Sequence, residues 1–263
     1  MTDLDDLAGR LDAAVRTATA IEQLSLDADL TLEDAYAVQA AGVRIREQRG
    51  DAVVGAKLGF TSRAKAEQMG VSDVIAGVLH QGMAVTDGGT VDVAAMVHPR
   101  IEPEIAFLIG SDIDPNGEGD PVAAVTHVAP ALEIIDSRYR DFRFSLTDVV
   151  ADNASSAAFV VGEWRPFDQA RAELDLAALD VVLTVAGSEA ARGSSADILG
   201  DPVLALDAVT RMARQHGLAL PAGSIILAGA ATAAVTLPAG TTVEATVGGL
   251  GPVRVATTGD LDG

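Results

Sequence analysis

From residue 52 onward the chain breaks into nine short apolar runs: AVVGAKLGF, GMAV, IEPEIAFLIG, ALEIID, AAFVVG, LDVVLTVAG, SIILAG, TTVEATVG and VRVAT. They are separated by segments carrying glycine, proline and aspartate. Runs this short cannot be helices of ordinary length, and so many of them predict a β-rich sandwich or roll. Ahead of them the period is helical. Leu4, Leu7, Leu11, Ala14 and Val15 fall on one stripe of a helix predicted over about 4 to 24, and Thr31 caps a second that ends at Gly50. In that second helix Asp34 stands at the third position after the cap, and Ala35, Val38, Ala41 and Ile45 mark the apolar face. SRAKAEQMG reads as a further helix carrying Lys65. DPVLALDAVTRMARQHG reads as a late one, with Asp201 as cap, Pro202 in the first turn and Gly217 as stop. GGLGPV reads as a hairpin turn. The fold class is α+β, a helical region over 1–50 followed by a β-rich core over 51–263.

Composition narrows the function. With 49% hydrophobic residues in 263, the chain can bury a sizeable core unaided. No apolar run approaches the ~20 residues that span a bilayer, and the N-terminus is acidic rather than basic then apolar. A soluble, cytoplasmic protein with no membrane partner is expected. The absence of cysteine excludes disulfides, thiolate metal sites and thiol nucleophiles, so any metal must be held by oxygen or imidazole. A net charge of −20 with scattered basic residues argues against nucleic acid as a partner. The same field repels small anions, so an anionic substrate needs a local reversal of potential, which a bound divalent cation could supply.

Side chains alternate along a strand, so Glu102 and Glu104 project from one side of IEPEIAFLIG while Ile101, Pro103, Ile105 and Phe107 project from the other. Glu133 interrupts a second apolar run. Three carboxylates without partners would not ionise together in such surroundings. Either they face water or a cation holds them, and an all-oxygen set suits Mg²⁺ or Mn²⁺.

Lysine is the second signal. Only Lys57 and Lys65 occur among 18 basic residues. Lys57 lies mid-strand between Ala56 and Leu58, where the alternatives are a snorkelling edge-strand lysine and an ammonium used for acid-base work or carboxylate binding. VVADNASSAAFVVG places Asp152, Asn153, Ser155 and Ser156 between apolar runs, as turn chemistry or as donors to a substrate carboxylate. The histidines are dispersed: His80 in a loop, His98 and His127 ahead of strands, His216 at a helix end. None pairs with a nucleophile, and neither a Walker loop nor a dinucleotide fingerprint occurs.

Taken in order, GAKLGFTSRAKAEQMGV, HPRIEPEIAF, ALEIIDSRYRDFRFSLTDVVADNASS, LPAGSIILAGAATAAV and GGLGPVRV resemble the fumarylacetoacetate hydrolase superfamily. The resemblance is to its branch of 4-oxalocrotonate decarboxylases and 2-hydroxypenta-2,4-dienoate hydratases. It implies a mixed β-sandwich roll with N-terminal helices, and a divalent ion, Mg²⁺ or Mn²⁺, on Glu102, Glu104 and Glu133. It also implies an active-site Lys57 and substrate contacts from Asp152, Ser155 and, in the late TAAV segment, Thr232. The implied substrate is a small 2-oxo or 2-hydroxy dienoate, and the implied assembly a homo-oligomer that associates with another enzyme of the pathway. SRYRDFRFSL and VVADNASS lean toward decarboxylation of 2-oxohex-3-enedioate over hydration of 2-hydroxypenta-2,4-dienoate or a longer dienoate. An acylpyruvate-type C–C hydrolase and a non-catalytic subunit are the other readings. In one respect the chain departs from many relatives, which carry an acid in the loop where His80 and Gln81 stand here.

Overall fold

A computed structural model describes residues 3–62 and 73–259; Lys65 and most of its expected helix lie outside them. Helix α1 (Leu4–Thr17) starts on Asp3, whose carboxylate accepts the Asp5 and Asp6 amides. It stops seven residues short of the expectation because Ala18 turns left-handed, with φ 47°. Its buried stripe is Leu7, Ala8, Leu11 and Ala14, and Val15, expected on that stripe, is exposed. Helix α2 (Leu32–Gln48) has the reciprocal cap predicted for Thr31 and Asp34. Two short helices, α3 (Leu146–Ala151) and α4 (Phe167–Glu173), precede the late helix α5 (Leu204–His216), so the late helix is not alone. Asp201 does not cap α5 directly: its Oδ1 accepts the Val203 amide in the preceding turn, and Val203 is the capping residue. Gly217 ends α5 with φ 73°, as expected of a left-handed stop.

Among the described residues fourteen strands form two sheets. In chain order they are β1 (Val53–Gly59), β2 (Ile75–His80), β3 (Ala84–Val85), β4 (Thr90–Asp92), β5 (Arg100–Ile109), β6 (Val125–Ile135) and β7 (Ser156–Val161). There follow β8 (Arg165–Pro166), β9 (Asp180–Val185), β10 (Ser188–Ser194), β11 (Ile225–Ala230), β12 (Val235–Thr236), β13 (Thr242–Val247) and β14 (Gly251–Thr258). The larger sheet runs β2-β1-β11-β5-β6-β7-β3, with β12 added to β5 and β8 to β6; the smaller runs β10-β9-β13-β14-β4. Most pairs are antiparallel, but β1/β11, β3/β7 and β4/β14 are parallel, which makes both sheets mixed. GGLGPV does form the β13–β14 hairpin connection. Two histidine expectations need correction. His80 closes β2 and is buried, and His127 lies within β6.

The larger sheet divides the interior. Ile101, Leu132, Ile134 and Val160 on its convex face pack on Leu183, Val243, Val253 and Val255 of the smaller sheet. Farther along the same face, Ile105, Phe107 and Ile226 pack into one core with the helices, among them Leu7, Val38 and Val209. The concave face carries a smaller cluster of Leu79, Met83, Ala106, Ala131, Phe159 and Leu227. Curvature is the feature that positions the site. Two strands, β11 and β5, separate Lys57 on β1 from Glu133 on β6, which in a flat sheet is about 14 Å. Their charged atoms nevertheless meet at 2.9 Å, so the sheet rolls until its concave face closes on itself. Among the described residues no helix is long and apolar enough to cross a membrane.

Candidate metal centre

Strand register brings the three acids together. Glu102 on β5 lies directly opposite Glu133 on β6, and Glu104 follows two residues on, on the same concave face. One carboxylate oxygen from each lies within 4.8 Å of the others. Glu104 and Glu133 are 0% exposed and Glu102 is 6% exposed, which removes the reading in which the pair faces water. Glu104 Oε2 accepts the Gly229 amide at 2.7 Å. That approach depends on Gly229, whose φ is +117° and whose added Cβ would strike Thr61.

Lys57 enters from the opposite wall, 3% exposed, and β1 is flanked by β2 and β11, so it is no edge-strand lysine. Its Nζ lies 2.9 Å from Glu133 Oε2 and donates to the Ala154 carbonyl at 3.2 Å. Burial pulls the Lys57 pKa down, but Glu133, then Glu104 and Glu102, outweigh it and hold it above the usual lysine value. Burial drives Glu104 well above the usual carboxylate range, reinforced by Glu133. Glu133 is raised too, by burial first, against the opposing pull of Lys57. Among the described residues one ammonium does not compensate both Glu104 and Glu133 in such a medium.

The residues present fit a hard divalent cation. Glu104 Oε1 and Glu133 Oε1 are buried and have no hydrogen-bond partner among the described residues, a costly arrangement unless another group takes them up. Oxygen donors alone, with room for water beside them, suit Mg²⁺ or Mn²⁺. A pH dependence follows. Without metal, folded Glu104 holds a proton that the unfolded chain releases above about 4.5, so stability falls as pH rises from there through the raised value. A cation displaces that proton and cancels the loss. Added Mg²⁺ should therefore raise Tm more at pH 8 than at pH 5.5, measured by scanning calorimetry.

The turn over the site is built from Asn153, Ala154 and Ser155, three consecutive non-glycine residues with φ of 52°, 51° and 59°. Such conformations cost on the order of 1 kcal/mol or more each and persist only where the surroundings hold them. Here Asn153 accepts from the Val78 amide and donates to its carbonyl, pinning the turn to β2. Gly77, opposite Lys57 in the register, leaves space for it: an added Cβ would lie 2.8 Å from the Asn153 carbonyl oxygen and 3.1 Å from Lys57 Cδ. Gly77→Ala should therefore cost about 1–3 kcal/mol in urea denaturation. Gly9→Ala, at a helical position with nothing within 4 Å, is the control and should instead stabilise by about 0.5–1 kcal/mol.

The turn presents Ser155 and withdraws Asp152. Ser155 is buried, its hydroxyl has no partner among the described residues, and it lines a cavity of about 370 Å³ together with Lys57 and Glu102. Asp152 instead lines a smaller space, about 60 Å³, beside α1 and α2. Its carboxylate receives the Arg138 amide and Nε–H. Thr232 is buried with its hydroxyl on the Ala233 carbonyl at 3.0 Å, and it is Ala233 and Ala234 that reach the cavity. His80 has its Nδ1 3.0 Å from the Asp51 carbonyl oxygen and faces that smaller space. Sequence reasoning missed Arg138, which joins Asp152 to the Asp136 carbonyl, because nothing in SRYRDFRF singles out one of its three arginines.

A rolled, mixed sheet carrying three buried glutamates and a buried lysine on its concave face defines a carboxylate-metal enzyme core. The family profile described as fumarylacetoacetate (FAA) hydrolase C-terminal matches residues 52–257. The chain is 50% identical over 255 residues to a 4-oxalocrotonate decarboxylase of a Pseudomonas species, covering 97% of this chain and 98% of that one. It is 36% identical over 248 residues to a 2-keto-4-pentenoate hydratase of Burkholderia vietnamiensis, covering 94% and 93%. Its structure is similar, with TM-score 0.90 and 36% identity over 97% of both chains, to that of 4-oxalocrotonate decarboxylase from Pseudomonas putida G7 complexed with magnesium and adipate. The chain belongs to the fumarylacetoacetate hydrolase family.

Proposed function

We propose that this protein is a divalent-metal-dependent lyase that decarboxylates 2-oxohex-3-enedioate to 2-hydroxypenta-2,4-dienoate. The observation that carries the reading is the 50% identity to a 4-oxalocrotonate decarboxylase across 97% of the chain. Lys57, Glu102 and Ser155 around one cavity, with Glu104 and Glu133 clustered on Glu102, support it. In the reaction the C5–C6 bond breaks, CO₂ leaves, and the electron pair moves through C4 and C3 until the 2-oxo oxygen carries the charge and takes one proton. A divalent ion held by Glu102, Glu104 and Glu133 would supply Lewis acidity at that oxygen, a contribution of several kcal/mol. Lys57, kept protonated beside Glu133, holds a proton at the floor of the cavity and orients the 2-oxo acid end. Ser155, whose hydroxyl has no partner among the described residues, offers it to a carboxylate. Ile75, Ile135 and Val149 line the same cavity and exclude water from the departing carboxylate.

Hydration of 2-hydroxypenta-2,4-dienoate is the second reading, favoured by the 36% identity to a 2-keto-4-pentenoate hydratase. Incubating the protein and Mg²⁺ with each compound, and following CO₂ release and loss of dienoate absorbance, separates the two. CO₂ release from the dioate supports decarboxylation; dienoate loss alone overturns it in favour of the hydratase. A homo-oligomer, and association with another enzyme of the same pathway, belong to the same reading and are read out by light scattering of the protein alone and mixed with that enzyme.

A further inference from the structure

The cavity wall carries one arginine among the described residues, Arg100, the first residue of β5. Alternation along the strand puts Arg100, Glu102 and Glu104 in one row on the concave side, with Arg100 at the outer end. Most arginines of this acidic chain are tied to carboxylates, but the Arg100 side chain makes no hydrogen bond or ion pair with any described residue. Its guanidinium instead stacks over the Phe142 ring, 4.3 Å from the centroid. Phe142 and its neighbour Asp141 both have φ of 58°, so the backbone of the SRYRDFRF segment is bent to seat that ring. Phe144 and His98 pack on it, with ring centroids at 5.9 and 5.0 Å. A stacked guanidinium has its plane fixed and its N–H edge unused, the arrangement that receives a carboxylate in two parallel hydrogen bonds.

Spacing fits the same role. Glu102 lies two residue steps from Arg100, about 7 Å along β5, and an extended six-carbon chain with five bonds spans a similar distance. Charge fits as well: a divalent ion on the carboxylates would make the site attractive to a dianion, with one end on the ion and the other on Arg100.

We propose that Arg100, stacked on Phe142, clamps the distal carboxylate of the substrate and makes the site selective for 2-oxo dicarboxylates over 2-oxo monocarboxylates. This rests on the function proposed above and names the group that sets its substrate class. Arg100 is a specificity residue, since it contacts the far end of the substrate and not the oxygen that gathers charge.

The test compares 2-oxoadipate with 2-oxohexanoate by calorimetry on the Mg²⁺-loaded protein. The two share the 2-oxo acid end and chain length, and lacking the C3–C4 double bond neither has the electron path for decarboxylation. The wild type should prefer 2-oxoadipate by about tenfold to a hundredfold, the strength of a charge-assisted pair. Arg100→Met should erase that preference while leaving affinity for 2-oxohexanoate, and the Tm, unchanged; Arg100→Lys should restore part of it. A preference that persists in Arg100→Met overturns the clamp, and so does an equal loss for both ligands, which would place Arg100 at the 2-oxo end. Failure of both ligands to bind the Mg²⁺-loaded wild type would overturn the proposed function and the clamp together; either of the first two results leaves that function standing.

Discussion

Glu104→Gln should lower turnover of 2-oxohex-3-enedioate by about a thousandfold or more, while the metal-free protein becomes no less stable and melts at the same temperature or higher. The two effects have one cause. Glu104 is wholly buried, its pKa is driven up by burial and by Glu133, and one oxygen lacks a hydrogen-bond partner among the described residues. In the absence of a cation that carboxylate is a liability, and a neutral amide of the same shape relieves it while its carbonyl still accepts from Gly229. With the charge gone, a divalent ion loses a third of its anionic ligands, and several kcal/mol of polarisation at the reacting oxygen go with it. Activity by CO₂ release and Tm without metal are the two readouts. A parallel fall in both would show that Glu104 serves the fold alone.

Lys57→Met should lower activity by about a hundredfold to ten-thousandfold, the usual range for a proton-handling group, and at the same time tighten Mg²⁺ binding. Its Nζ, 2.9 Å from Glu133, competes with a cation for the same carboxylate, so removing it deepens the local negative potential. Metal-free protein should lose stability, because Glu133 is left buried without its countercharge, and Mg²⁺ should restore it. Calorimetric titration of Mg²⁺ into the variant, alongside its turnover at saturating metal, checks both. If activity returns to the wild-type level once metal saturates, Lys57 has no part in the chemistry.

Some of this site was legible in the chain and some was not, for reasons of geometry. Glu102 and Glu104 stand out because strand alternation is a local rule, and because charges between Ile101, Ile105 and Phe107 break a strong apolar pattern. Glu133 and Lys57 stand out the same way. That Lys57 and Glu133 touch was hidden, since it depends on the roll of a sheet with two strands between them. Every residue of β2 is buried, so it shows no alternation, and His80 read as a loop residue. Ala18 ends α1 in a left-handed conformation that no glycine announced. Asp152, Asn153 and Ser155 look alike as a polar knot; only the left-handed turn, pinned to Val78, sends Ser155 into the cavity and Asp152 to Arg138. Arg100 drew no notice because an arginine opening a strand is ordinary until Phe142 is found beneath it.

Anomalous diffraction from crystals grown with Mn²⁺ addresses the three-carboxylate site itself. A single manganese peak should appear on the concave face, about 2.1–2.2 Å from one oxygen each of Glu102, Glu104 and Glu133, with water or a 2-oxo acid filling the other positions. A peak bound elsewhere, or none at saturating Mn²⁺ with the three glutamates still clustered, would contradict the account.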